Sequence, residues 1–229
     1  MKCPIEHMSL NGSEQFVAYR NIATCDPSQD LYDDIADSKD WDLLQYADNV
    51  SSGINHLQRK IERVFQYGNI ENSLLCFDER FWRWGRFGDG SFGVWYGAFE
   101  EETSIKETLY HRPEIDRNDL QNAVSPIIQA RRLFRADLTP NTSSDIRPYT
   151  EAYPLLVHES DYSFCQSLGT YAIQENLDLF LTRSVRNPGG TCIPVFCAKI
   201  IKDKAIRSYL NIFPLDGSHP RVAPIEENF

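Results

Sequence analysis

Apolar residues recur along this chain with two periods, helical in some stretches and strand-like in others. Ile54, Leu57, Ile61, Val64 and Phe65 stand at helical spacing behind Ser51-Ser52 and stop near Gly68, which predicts an amphipathic helix packed on a sheet. Phe16-Val17-Ala18-Tyr19-Arg20 predicts a strand ending in a cation, and Asp40-Trp41 opens a helical stretch that Trp41, Leu44 and Tyr46 can dock. Leu74 to Phe77 forms a short buried run. Gly85, Gly88 and Gly90 then mark a turn ahead of the strand formers between Phe92 and Ala98. Thr103 is placed to cap a helix carrying Ile105 and Leu109, with Glu100, Glu101 and Glu102 at the positive end of its dipole. Pro113 predicts that this helix stops by His111 or Arg112.

Further along, residues 127–138 read as a strand and residues 139–148 as a loop. Ser160-Asp161 cap a helix bearing Phe164, Leu168, Tyr171 and Ala172 on one face. Residues 177–181 predict a strand, Asn187-Pro188-Gly189-Gly190 a turn, and residues 193–201 an apolar central strand with Pro194 at its start or at a bulge. The mixture predicts an α+β fold: a mixed β core with flanking helices. Two regions follow from it, an acidic and largely helical N-terminal extension over residues 1–70, packed on the core, and a catalytic domain over residues 71–229.

Composition sharpens this picture. With 41% hydrophobic residues in 229, the chain can bury a sizeable globular core. Its net charge of −10 argues against non-specific nucleic-acid binding, which needs clustered cations. Ten acidic residues lie in the first fifty and read as a solvated surface. Neither a signal-peptide core at the N-terminus nor a run of ~18 apolar residues is visible, so a cytoplasmic location away from membranes is expected. Cys3, Cys25, Cys76, Cys165, Cys192 and Cys197 make no CxxC pair, and no metal-ligand spacing links the five histidines. No metal and no bound cofactor are expected.

Chemistry concentrates between residues 82 and 112, which hold three of the four tryptophans and five of the twelve glycines. Gly88-Asp89-Gly90-Ser91-Phe92-Gly93 formally matches GxGxxG, but a dinucleotide fold needs a helix opening on the last glycine, and an aromatic strand pattern follows instead. The ordered set Arg86, Tyr96, Glu107 and the distant Ser184 carries more. Around it lie Trp84-Gly85-Arg86-Phe87, Gly93-Val94-Trp95-Tyr96-Gly97-Ala98, Thr103-Ser104-Ile105-Lys106-Glu107, Asp161-Tyr162-Ser163-Phe164 and Arg183-Ser184-Val185-Arg186. In these residues the chain resembles the RES-domain family, named for its arginine, glutamate and serine, over roughly residues 77–198.

That resemblance implies an ADP-ribosyltransferase-like fold. It also implies a toxin of a bacterial toxin–antitoxin pair that degrades NAD at the nicotinamide–ribose bond, by hydrolysis or with inorganic phosphate as co-substrate. The implied partner is a separate helix-turn-helix antitoxin, and a homodimer is among the assemblies it allows. Cleavage of that bond develops positive charge on the ribose, which a carboxylate stabilises, and Glu107 is the candidate. Arg86 would pair with the pyrophosphate, with Arg20 as a second phosphate contact. Tyr96 would give the nicotinamide ring an aromatic wall, Trp95 is a further substrate-binding candidate, and Ser184 would hydrogen-bond ribose or nicotinamide. Two other classes fit the same residues: an ADP-ribosyltransferase acting on a macromolecule, and a non-catalytic module whose acidic N-terminal region docks a partner.

Overall fold

A computed structural model describes residues 10–11, 15–23, 70–119, 129–212 and 222–224. The helices expected before residue 70 lie outside the described residues. Among the described residues nine strands form one sheet: β1 (Leu10–Asn11), β2 (Phe16–Ala23), β3 (Trp95–Ala98), β4 (Gln129–Leu138), β5 (Ser143–Asp145), β6 (Leu179–Arg183), β7 (Thr191–Val195), β8 (Ile201–Ile212) and β9 (Val222–Pro224). Their order is β1-β5-β6-β7-β3-β2-β4-β8-β9. Only the β5–β6 pair is parallel, so the sheet is mixed. Two α-helices are described, α1 (Glu101–Asp119) and α2 (Ser163–Gln174). The fold is α+β, as the alternation of periods implies.

Residue-by-residue alternation sorts the sheet into two faces. On one face Trp95, Leu179, Leu181, Ile193 and Val195 pack with Ala18, Ala136 and Leu138, and Leu74, Cys76 and Phe77 of a 3-10 turn (Ile70–Phe77) cover them. On the other, Phe180 joins Leu168 and Ala172 of α2, with Phe87, Val94 and Leu156. The same face presents Tyr96, Ala98, Thr182, Cys192 and Pro194, which line the cavity described below.

Several sequence expectations need correction. The boundary placed at residue 70 cuts through the sheet, because β2 lies between β3 and β4 near its centre. Helix α1 does not stop before Pro113 but continues to Asp119; a proline removes one donor and disfavours helix before it, without forbidding it. The helix also begins at Glu101, so Thr103, expected as its cap, is inside it. The loop expected at residues 139–148 contains β5, held by β6 on one side and β1 on the other. The apolar strand expected at residues 193–201 ends at Val195, and the chain resumes as the long strand β8 after a 3-10 turn (Ala198–Ile200). Pro194 sits inside β7, flanked by the ladder pairs Leu179↔Val195 and Thr182↔Cys192. Among the described residues no helix is long and apolar enough to cross a membrane.

Candidate active site

A cavity of about 490 Å³ opens on the Tyr96 face of the sheet. That volume falls within the range of small-ligand sites, about 300–1,000 Å³. The floor is Tyr96, Ala98, Cys192 and Pro194. Ser104, Glu107, Thr108 and Tyr110 of α1 form one wall, and residues 84–87 with Glu159, Ser160 and Tyr162 form others. Arg183, Val185 and Arg186 complete the lining after β6.

Tyr96 alternates with buried neighbours in β3, so its ring reaches the cavity and is 38% exposed. Its hydroxyl is tucked away: it accepts the N–H of Phe87 at 2.9 Å and lies against Gly85, where a Cβ would stand 3.0 Å from it. Burial of that oxygen pushes its pKa up to about 12, the Phe87 bond opposing the shift. The ring is thus a neutral wall.

Glu107 extends from α1, and the hydrogen bonds around it fix which of its oxygens is free. The Ser184 hydroxyl donates to Glu107 Oε1 at 2.6 Å, and the Cys192 thiol donates to the same oxygen at 3.5 Å. Ser184 Oγ also accepts the N–H of Arg186 at 3.2 Å and of Asn187 at 2.9 Å. Both of its acceptor sites are taken, and its proton goes to the carboxylate. Glu107 Oε2 receives no hydrogen bond from the described residues and is the oxygen left for a ligand. Ser184, expected to touch the substrate, is 8% exposed and does not line the cavity; its hydroxyl is bonded to Glu107.

The turn that carries Ser184 is clamped to α1. Asn187 Nδ2 donates to Thr103 Oγ1 at 2.8 Å, and Lys106 Nζ donates to Asn187 Oδ1 at 3.0 Å. Thr103 in turn donates to Glu100 at 2.6 Å. The turn closes with the Gly190 N–H on the Asn187 carbonyl, and Gly189 takes φ 87°, where a Cβ would be strained. Cys192 is held neutral, its thiol pushed well above the ordinary range by burial and then by the adjacent Glu107 charge.

Cations surround the mouth. Arg86 Nη1 donates to the His158 carbonyl at 2.8 Å and its guanidinium lies 4.5 Å from the centre of the Tyr162 ring. Arg186 donates to the Glu159 carbonyl at 2.9 Å and lies over the Tyr110 ring, and Arg183 donates to the Arg147 carbonyl at 3.2 Å. Each guanidinium has five donors, so these anchors leave others for an anion.

Arg20 and Trp95 stand differently. Strand alternation puts them together on the far face, the Arg20 guanidinium 5.4 Å from the Trp95 ring and donating to the Tyr96 carbonyl at 3.3 Å. Trp95 is fully buried, and Gly97 makes room for its ring. Burial pushes the Arg20 pKa down, nearby Cys76 and Tyr96 opposing it. Arg20 borders the cavity from beneath the sheet, with its Nε buried and without a partner among the described residues, and Trp95 forms no part of the wall. Sequence reasoning gave no role to Cys192, Asn187, Tyr110 or Tyr162. Asn187 was visible only as a turn residue, and Cys192 as a strand residue without a metal partner.

Among the described residues no group of three or more His, Cys, Asp or Glu side chains is placed to hold a metal ion. No curated protein matches the chain. Among solved structures the chain is similar to one described as the crystal structure of the M. tuberculosis MbcT–MbcA toxin–antitoxin complex. The likeness has 13% identity and a TM-score of 0.48 over 89% of this chain and 87% of that one. The family model described as the RES domain matches residues 75–215, a span that holds Arg86, Tyr96, Glu107 and Ser184, and the chain belongs to that family.

Proposed function

We propose that this protein is a toxin-type enzyme that degrades NAD by breaking the bond between nicotinamide and ribose, and that a separate antitoxin protein of helix-turn-helix type neutralises it. The observation that carries the reading is the single open oxygen of Glu107, facing a cavity with an aromatic wall and arginines at its mouth. As the C1′–N bond breaks, its electron pair leaves with nicotinamide and positive charge grows on the ribose. Glu107 Oε2 stabilises that charge, held in place before the reaction by Ser184 and Cys192. The neutral Tyr96 ring supports nicotinamide, which loses its charge on leaving. Arg86, joined by Arg183 and Arg186, pairs with the pyrophosphate. An acceptor oxygen, from water or from inorganic phosphate, then bonds to C1′, and water gives up its proton to solvent.

Release of free nicotinamide from NAD by the purified protein, with and without inorganic phosphate, tests this. Activity should fall by at least about a hundredfold in Glu107→Gln, which keeps shape and removes charge. Equal release by wild type and Glu107→Gln would refute the reading. Dependence on phosphate assigns phosphorolysis. Label from NAD appearing on a macromolecule, with little free ADP-ribose, would assign the transferase class instead.

A further inference from the structure

Trp84 has the highest exposure, 63%, of the large hydrophobic side chains among the described residues. An exposed apolar residue needs no explanation by itself. Trp84, however, is held rigidly. It bridges to Asp89, the Gly85 N–H donates to the Gly88 carbonyl at 2.8 Å, and Gln166 of α2 donates to the Gly85 carbonyl at 2.9 Å. Gly90, at φ 89°, supplies the left-handed residue this turn requires. The indole stacks on Tyr162 with ring centres 5.3 Å apart and planes at 29°, and the Tyr162 ring also carries the Arg86 guanidinium. Trp84, Tyr162 and Arg86 all line the cavity. A cation and an aromatic platform are therefore joined in one preorganised unit, with indole surface still open.

We propose that Trp84 is the platform for the base of a nucleotide, on which the purine half of the dinucleotide stacks while Arg86 pairs with the adjoining phosphate. The inference rests on the NAD reading and adds which end of the substrate lies where. Nicotinamide lies at Tyr96 beside Glu107, and the purine at Trp84. Stacking on an open aromatic face tolerates any base, so this end contributes affinity and leaves the bond cleavage to Glu107. Because the platform is already ordered, little freedom is lost when the base arrives.

Kinetics on NAD and competition by AMP, which carries purine and phosphate without nicotinamide, test this together. In Trp84→Ala, KM for NAD and Ki for AMP should rise by the same factor, roughly 5- to 150-fold, with kcat within about twofold of wild type. Trp84→Phe should keep most of the affinity. An unchanged melting temperature establishes that the exposed substitution leaves the fold intact. The proposal is overturned if KM and Ki stay at wild-type values, or if kcat falls while KM holds. Titration of AMP into the protein by calorimetry separates the two readings. Should no nicotinamide be released by any form, AMP bound by wild type and lost in Trp84→Ala still supports the platform. AMP that fails to bind wild type refutes it. Loss of binding to a partner protein in Trp84→Ala, with KM and Ki unchanged, would mark Trp84 as a docking residue and overturn it too.

Discussion

Ser184→Ala isolates the aiming of the carboxylate from everything else in the cavity. The substitution removes the donor 2.6 Å from Glu107 Oε1 and leaves the arginines and the Tyr96 ring in place. A hydrogen bond to a charged group contributes about 1.5–3 kcal/mol. If that whole amount is felt when charge develops on the ribose, kcat falls roughly tenfold to a hundredfold. KM should stay within about twofold, because the lost contact touches no substrate. The same change takes the side-chain acceptor from the N–H groups of Arg186 and Asn187, so some stability is lost as well, about 1–3 kcal/mol for each group left buried and unpaired. Initial rates of nicotinamide release against NAD concentration, with a thermal melt on each protein, supply all three numbers. A double mutant adds a stricter test. If Ser184 acts only through Glu107, then Ser184→Ala placed on Glu107→Gln should cost almost nothing further. A Ser184→Ala enzyme with normal kcat and raised KM would refute the positioning argument and return Ser184 to direct substrate contact.

The remaining predictions concern the frame and its protons. Gly169→Ala drives a Cβ into the carbonyl of Phe87, moving the residues that hold Arg86 and the Tyr96 hydroxyl. It should cost about 1–3 kcal/mol, a few degrees of melting temperature, and raise KM; an unperturbed melt would contradict the packing described. Cys165 is fully buried, and burial pushes its thiol up to about 11 against the opposing pull of Arg86. The unfolded chain releases that proton near pH 8.5 while the folded chain holds it. Stability is therefore intact below about pH 8.5 and falls as pH rises through about 11, by up to about 3 kcal/mol from this group. Urea midpoints measured at pH 7, 8.5 and 10 should decline above 8.5, and a flat series would refute the assignment. The Cys192 thiol lines the cavity but is held neutral, so it should resist alkylation at pH 8 in the native protein and react on unfolding, which mass spectrometry of trapped protein reads directly.

The elements that periodicity specifies were legible. The strand at Phe16 to Arg20, the helices α1 and α2, and the turn at residues 187–190 all follow from spacing and turn chemistry. Legible too was the set Arg86, Tyr96 and Glu107, which the fold gathers into one cavity. Trp95 and Tyr96 are neighbours on a strand, so they point to opposite faces, and only Tyr96 reaches the cavity. Arg20 required more, since only the register of β2 against β3 puts its charge on the Trp95 side. Pro113 disfavours helix before it without forbidding it, and so does not end α1. The role of Ser184 could not be read at all. Its proton is directed by two backbone N–H groups that meet its oxygen only after the turn has closed on Asn187.

That turn also explains how one short helix segment can serve both fold and chemistry. Glu107 stands two turns into α1, and the first turns of α1 are tied to the β6–β7 connection by Glu100, Thr103, Lys106 and Asn187. Strain or movement in that connection therefore reaches Glu107 directly, through Ser184. The mouth is built from longer, more adaptable groups, with Arg86, Arg183 and Arg186 each anchored to a backbone carbonyl. A site of this kind should lose turnover when the clamp is cut and lose affinity when the mouth is altered. Asn187→Ala is the discriminating change. It removes the side-chain bonds to Thr103 and Lys106 while keeping the backbone N–H that serves Ser184. If the clamp holds Glu107 in register, kcat should drop several-fold with KM little changed, by about 1 kcal/mol of lost positioning from one neutral bond to Thr103 and one charge-assisted bond from Lys106. If KM alone rises, the turn belongs to the mouth, and the division of labour between the two ends of the cavity is wrong.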